Sequence, residues 1–188
     1  MRVYLAGPEV FLADAATIAA AKKEICARHG WTGVFPTDPH PAVADEAAGP
    51  WRIYRQNEAH LRGCDALIAN LTPFRGPSAD AGTVYELGFM RGIGKPVFGY
   101  AHTSGDFAAR VLAFLGPRIR RRADSAWEDE EGMAVEEFGL ADNLMIEGGI
   151  RASGGALLLG PPAASDDFSL FARCVARLRA QLGSASSA

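Results

Sequence analysis

Two carboxylates punctuate the string SADAGTVYELG at residues 78–88. Glu86 stands among Val84, Tyr85, Leu87 and Phe89, company in which a charged side chain is costly to bury unless it is paired or used. Asp80 lies six positions earlier, where a loop gives way to a helical pattern. Two readings compete. In the first, Thr83 and Glu86 form a capping box, and Asp80 is a loop residue bonding to free backbone N–H groups. In the second, the helix N-terminus holds the Glu86 carboxylate ionised through its dipole and unpaired N–H groups. An ionised, partly desolvated carboxylate at a ligand edge can act as a nucleophile. Tyr4, in the opening string RVYLAGP, poses the same choice. A strand tyrosine is ordinarily a packing residue, but ahead of a Gly7-Pro8 turn its hydroxyl could orient a carboxylate.

The surrounding pattern says what must position these groups. Residues 2–6 read as a buried strand that ends at Gly7-Pro8. Residues 13–29 are Ala-rich with Ile18, Ile25 and Cys26 on one side, which predicts a helix. A short strand is expected at Val34 and Phe35, a long loop over 37–50, and a helix over 51–62. The continuous apolar run at 65–71, DALIANL, fits a parallel strand buried on both faces. A loop over 72–82, a helix over 83–92 and a strand over 95–100 follow. Past residue 105 the pattern weakens until an amphipathic helix over 168–182. Strand and helix in alternation imply an α/β fold, a doubly wound parallel sheet in a single domain over 1–183, with 184–188 a flexible tail. Ligands of such sheets bind beyond the carboxyl ends of the strands. The turn at Gly7 and the loops over 72–82 and 100–105 all fall there.

Composition narrows the function. The chain has 188 residues, 48% hydrophobic and 22% charged, which suits one globular core. Nineteen basic against 22 acidic side chains give a formal charge of -3, which argues against binding a nucleic-acid backbone. Cys26, Cys64 and Cys174 are widely spaced and odd in number. They suggest neither a disulfide framework nor a metal site, and point to a reducing, cytoplasmic setting. His29, His40, His60 and His102 lack ligand spacing, so neither metal nor cofactor is expected. No apolar run approaches the ~20 residues of a membrane span, and Gly7-Pro8 breaks the N-terminal run too early for a leader peptide. The string GFMRGIGK at 88–95 has the wrong spacing and context for a phosphate loop. RIRRR at 118–122 and EDEE at 128–131 read as solvated charge runs that partly neutralise each other.

The strings YLAGP (4–8), RQN (55–57), GCDALIANLTPFRG (63–76), SADAGTVYELG (78–88), KPVFGY (95–100) and EFGLADNLMI (137–146) stand in an order that resembles the nucleoside 2-deoxyribosyltransferases. Within that family the likeness is strongest to the branch with kinetoplastid and related bacterial members. The resemblance covers most of residues 1–150. It implies a flavodoxin-like sheet and transfer of 2-deoxyribose between nucleobases, with deoxynucleosides and free bases as substrates. It makes Glu86 the nucleophile, places Tyr4 beside it, and gives Asp80 the 5'-hydroxyl end of the sugar. Asn143 and Met145 would come from a neighbouring subunit to complete the pocket, so at least a homodimer is implied. Gly7 and Asn57 join them as substrate-binding candidates. Asp65, opening the strand that leads to the site, is expected to tie backbone segments together.

Asn57 departs from the family pattern, because some members carry an aspartate there that serves the leaving base. An amide cannot supply that proton, so Glu58, another group or water must. Two other functions use the same residues. One is hydrolysis of the N-glycosidic bond of a nucleoside or nucleoside 5'-monophosphate, with water as acceptor. The other is a non-catalytic nucleotide-sensing module on the same fold.

Overall fold

The structure, a computed structural model, describes residues 1–40, 49–103 and 105–185. Five parallel strands form one sheet: β1 (Arg2–Ala6), β2 (Thr32–Val34), β3 (Ala66–Asn70), β4 (Val97–His102) and β7 (Leu157–Gly160), in the order β2-β1-β3-β4-β7. Tyr4 is level with Leu67, and Asn70 with Tyr100. Helices cover both faces. The sheet is flavodoxin-like, as the resemblance implied.

Side chains alternate across each strand with a period of two. Val3, Leu5, Ile68, Phe98 and Tyr100 pack on one face, against helices α1 (Ala15–Arg28) and α6 (Ser169–Ala185). Tyr4, Ala6, Leu67, Ala69, Val97 and Ala101 pack on the other, against α2 (Pro50–Gly63), α3 (Ala81–Gly92) and α5 (Leu144–Ala152). Burial on both faces accounts for the unbroken apolar run of β3. Asp65 ties two segments, accepting from the Arg2 backbone N at 2.8 Å while its own N donates to the Arg2 carbonyl at 2.8 Å.

Several boundaries differ from the expected ones. The second strand is Thr32–Val34 rather than Val34 and Phe35. The fourth runs over Val97–His102, later than 95–100, because Lys95 and Pro96 complete the turn out of α3. Helix α6 continues to Ala185, past the expected end at 182 and into the segment expected as a tail. Residues 186–188, most of the expected loop over 37–50 (residues 41–48) and Ser104 of the loop over 100–105 lie outside the described residues.

The weak region beyond 105 holds six unrecognised elements: α4 (Phe107–Leu115), a 3-10 turn (Gly116–Arg118), an antiparallel pair β5 (Ile119–Arg121) and β6 (Trp127–Asp129), then α5 and β7. The two charge runs do neutralise each other, but across this hairpin. Arg120 Nε contacts Glu128 Oε1 at 2.6 Å, and Arg122 Nε lies 3.7 Å from Glu128 Oε2. Arg121 covers the Trp127 ring at 3.9 Å.

Candidate active site

Helix α3 begins earlier than the sequence suggests, and Asp80 is the reason. Asp80 is the N-cap, and its Oδ2 accepts from the Thr83 backbone N at 2.9 Å and from Thr83 Oγ1 at 3.0 Å. Thr83 is therefore the third helical residue, not the cap. The capping box between Thr83 and Glu86 does not form, and Glu86 sits in the second turn. The aspartate wins because its carboxylate meets the same orphan N–H groups one turn sooner, with charge to complement the dipole.

Glu86 faces the sheet. Tyr4, fully buried in β1, donates its hydroxyl to Glu86 Oε1 at 2.6 Å. A strand side chain and a helix side chain 82 positions apart thus meet at the carboxyl half of the fold. Burial raises the Glu86 carboxyl, the Tyr4 bond pulls it down and the negative charge of Asp80 pushes it up, which together leave it at about 7. The N-terminal dipole of α3 does not hold this carboxyl low as expected, since the second turn feels little of the dipole and desolvation dominates. Burial, and the neighbouring carboxylate, also raise the Tyr4 phenol far above its ordinary value, so it stays a neutral donor.

A cavity of about 190 Å³ opens on Glu86 between α2 and α3, lined also by Tyr54, Asn57, Glu58, Leu61, Gly82 and Tyr85. Asn57 Oδ1 is buried without a hydrogen-bond partner among the described residues. Glu58 Oε1 accepts from Arg62 at 2.9 Å. The structure therefore brings Tyr4, Asn57 and Glu86 together. Glu86 and Asn57 line the cavity, where a carboxylate and an amide can hold a neutral polar ligand and the carboxylate can attack it, while Tyr4 holds Glu86 from beneath.

Asn143 and Met145 are elsewhere. Asn143 caps α5, accepting from the Met145 backbone N at 3.0 Å and donating Nδ2 to Glu136 Oε2 at 2.7 Å. Both line a different cavity, about 460 Å³, with Ser78, Val84 and Gly88 on the opposite flank of α3. Met145 is 73% exposed. Within one chain, neither residue lines the Glu86 cavity.

Gly7 ends β1, and its hydrogen faces Glu9. A Cβ at Gly7 would lie 1.9 Å from Glu9 Oε2. Sequence reasoning missed Glu9 and its buried partner Lys22, which form an ion pair under the ligand edge. Asn70 Nδ2 and the Tyr100 hydroxyl also donate to Glu9 Oε1, at 2.8 and 3.1 Å. Burial works to raise the Glu9 carboxyl, yet the Lys22 ammonium and the hydrogen bonds from Lys22 and Asn70 bring it below its ordinary value. Nothing in an Ala-rich helix marks Lys22 as buried. Sequence reasoning also gave no role to Asp142, which is 2% exposed, although it lies within the string EFGLADNLMI.

The raised Glu86 carboxyl has a consequence for stability. The unfolded chain releases this proton near 4.5 and the folded chain near 7. Between those values the folded state binds more protons, so stability falls as pH rises, and the full cost, about 3 kcal/mol, applies above pH 7. Glu86→Gln removes it. Urea midpoints of the variant should exceed those of the natural protein at pH 8 and converge with them by pH 4.

The protein is a flavodoxin-like α/β fold in which a desolvated carboxylate of α3 and a phenol of β1 meet beside a cavity. Comparison with known proteins gives the family. Residues 3–145 match the family described as Nucleoside 2-deoxyribosyltransferase, and the chain belongs to that family. An uncharacterized protein of Schizosaccharomyces pombe is 34% identical over 197 residues, covering 97% of this chain and 90% of the relative. Among solved structures, a 2-desoxiribosyltransferase from Leishmania mexicana superposes with a TM-score of 0.62 at 26% identity, covering 93% of this chain and 97% of that one. A conserved protein from Enterococcus faecalis V583 superposes with a TM-score of 0.54 at 20% identity, over 95% and 98% of the two chains, a likeness of fold.

Proposed function

We propose that the protein exchanges nucleobases on 2-deoxyribose through a covalent ester on Glu86, with net retention at the anomeric carbon. The observation that carries this reading is the partly buried Glu86 carboxylate, bonded by Tyr4 and open to a cavity of nucleobase or sugar size. Breaking the glycosidic bond develops positive charge at the anomeric carbon. A carboxylate beside that carbon stabilises the charge and then bonds to it, the logic of retaining glycosidases. The first base departs with a proton on its nitrogen, supplied by water or by a cavity group such as Glu58. A second base then gives up its proton by the same route, attacks the anomeric carbon and displaces the Glu86 carboxylate, giving ping-pong kinetics.

Each remaining residue has a part in this reading. Tyr4 holds one carboxylate oxygen and leaves the other to react. Asn57, whose Oδ1 lacks a partner, accepts from the base. Gly7 leaves room for the Glu9 carboxylate at the end of β1, and serves the substrate through that packing. Asp80 grips the 5'-hydroxyl, fixing the anomeric carbon against Glu86, and such positioning is worth several kcal/mol of barrier. Asn143 and the exposed Met145 reach the site of a second chain, which explains why neither faces Glu86 in its own. The reaction fits nucleoside salvage in the cytoplasm by a homo-oligomer. Among the described residues no helix is long and apolar enough to cross a membrane.

An exchange assay tests the proposal. The protein is incubated with deoxyinosine plus free adenine, and separately with thymidine plus adenine, and products are separated by chromatography. Deoxyadenosine from either donor supports transfer. Free deoxyribose without a new nucleoside would replace transferase by hydrolase, and ligand binding without turnover would favour a sensing module.

A further inference from the structure

We propose that Asp142 is a positioning residue for the sugar: its carboxylate sets the segments that carry Asp80 and Asn143, and thereby the recognition of the 5'-hydroxyl. The inference rests on the function proposed above and goes beyond it, since Asp142 contacts neither Glu86 nor the cavity around it.

Asp142 joins two segments that are distant in sequence. Ser78 Oγ donates to its Oδ1 at 2.5 Å, and the Ala79 backbone N donates to its Oδ2 at 2.9 Å. The backbone N of Asn143 donates to Oδ1 at 2.8 Å. Three donors converge on a carboxylate that is 2% exposed, and bonds to an ionised acceptor are roughly twice as strong as neutral ones. The next residue after Ala79 is Asp80, and the next after Asp142 is Asn143. One carboxylate therefore fixes the chain immediately before one sugar ligand and immediately before the other.

Arg110 of α4 reinforces the same junction from the other side. Its Nε donates to the Pro77 carbonyl at 2.8 Å, Nη2 to the Ala141 carbonyl at 2.5 Å, and Nη1 to the Gly105 carbonyl at 3.2 Å. The guanidinium also lies close enough to Asp142 to interact with its charge. Asp142 thus takes the N–H groups, and Arg110 the carbonyls, of the same two segments. In the proposed assembly Asp80 meets the sugar of its own chain's site and Asn143 that of a neighbouring chain's, so each Asp142 sets one sugar ligand at each of two sites, and a misplacement near 1 Å costs roughly 10²-fold in rate.

The test separates sugar positioning from general damage by removing the hydroxyl from the substrate. Transfer to adenine is measured from 2'-deoxyinosine and from 2',5'-dideoxyinosine. The natural protein should prefer the first by roughly 10²-fold or more in kcat/KM, since a site built to bond a hydroxyl rejects the analogue lacking it. Asp142→Asn should lose roughly 10²-fold on 2'-deoxyinosine but less than about threefold on the dideoxy donor, collapsing the preference. Ser78→Ala should do the same to a smaller degree, with Ser78→Thr restoring it; this pair carries the test if Asp142→Asn does not fold. Equal fractional losses on both donors, or an intact preference in the variants, would overturn the inference. A natural protein that makes deoxyadenosine from neither 2'-deoxyinosine nor thymidine would overturn the proposed function; if only thymidine serves, the same comparison is made with thymidine and 5'-deoxythymidine.

Discussion

Glu86→Gln should lose base exchange by roughly 10⁴-fold or more, the scale seen when a nucleophile is removed from a covalent mechanism. The amide matches the carboxylate in size and can still accept the Tyr4 hydroxyl, so the local structure survives the change. It cannot form the ester, because an amide oxygen is far too weak a nucleophile and cannot balance the charge at the anomeric carbon. The loss should fall on kcat, with substrate binding retained, and on every donor equally. Rates under single-turnover conditions, beside a urea melt showing that the variant is at least as stable as the natural protein at pH 8, would establish both halves. Near-normal exchange by Glu86→Gln would contradict the assignment.

Tyr4→Phe is the second large effect, and it shows in the pH profile. Glu86 must be ionised to attack, so kcat/KM should rise with pH through about 7, where burial has placed this carboxyl. The Tyr4 hydroxyl favours the ionised form. Without it, desolvation acts unopposed and the acidic limb should move to higher pH. Activity at pH 7 should fall by roughly 10- to 100-fold and recover in part by pH 9. Tyr4 is fully buried and Phe fills nearly the same volume, so the stability cost should stay near 1 kcal/mol, that of one hydrogen bond. An acidic limb at the same pH in both proteins would show that Tyr4 does not tune Glu86.

Much of this arrangement is legible in the sequence because its signals are local and apolar. The RVYLA and DALIANL runs, the Ala-rich first helix and the Gly7-Pro8 turn specify strands, helix and ligand edge directly. The position of Glu86 in apolar company is itself a signal, since such a carboxylate needs a partner, and Tyr4 is that partner. What the sequence hides depends on distant contacts. Asp80 and Thr83 both suit an N-cap, and only the start of α3 decides between them. The pairing of Lys22 with Glu9 needs α1 laid against the sheet before it exists. Strand β7 is a short LLLG run, readable as a strand only when β4 offers it an edge. The hairpin of β5 and β6 is masked by charge, and its arginines and acids pair across strands rather than along them. Asn143 and Met145 illustrate a different limit: their strings carry the family resemblance, yet the chain directs them away from its own Glu86.

The most direct measurement of the central claim is the chemical state of Glu86 during turnover. The protein is mixed with a deoxynucleoside and no acceptor base, quenched in acid within the first turnovers, digested, and the peptides are weighed by mass spectrometry. A deoxyribosyl group should appear on the peptide carrying Glu86, vanish when adenine is added before the quench, and be absent from Glu86→Gln. A deoxyribosyl group on any other residue, or exchange at full rate in a protein that never acquires one, would contradict a covalent intermediate at Glu86.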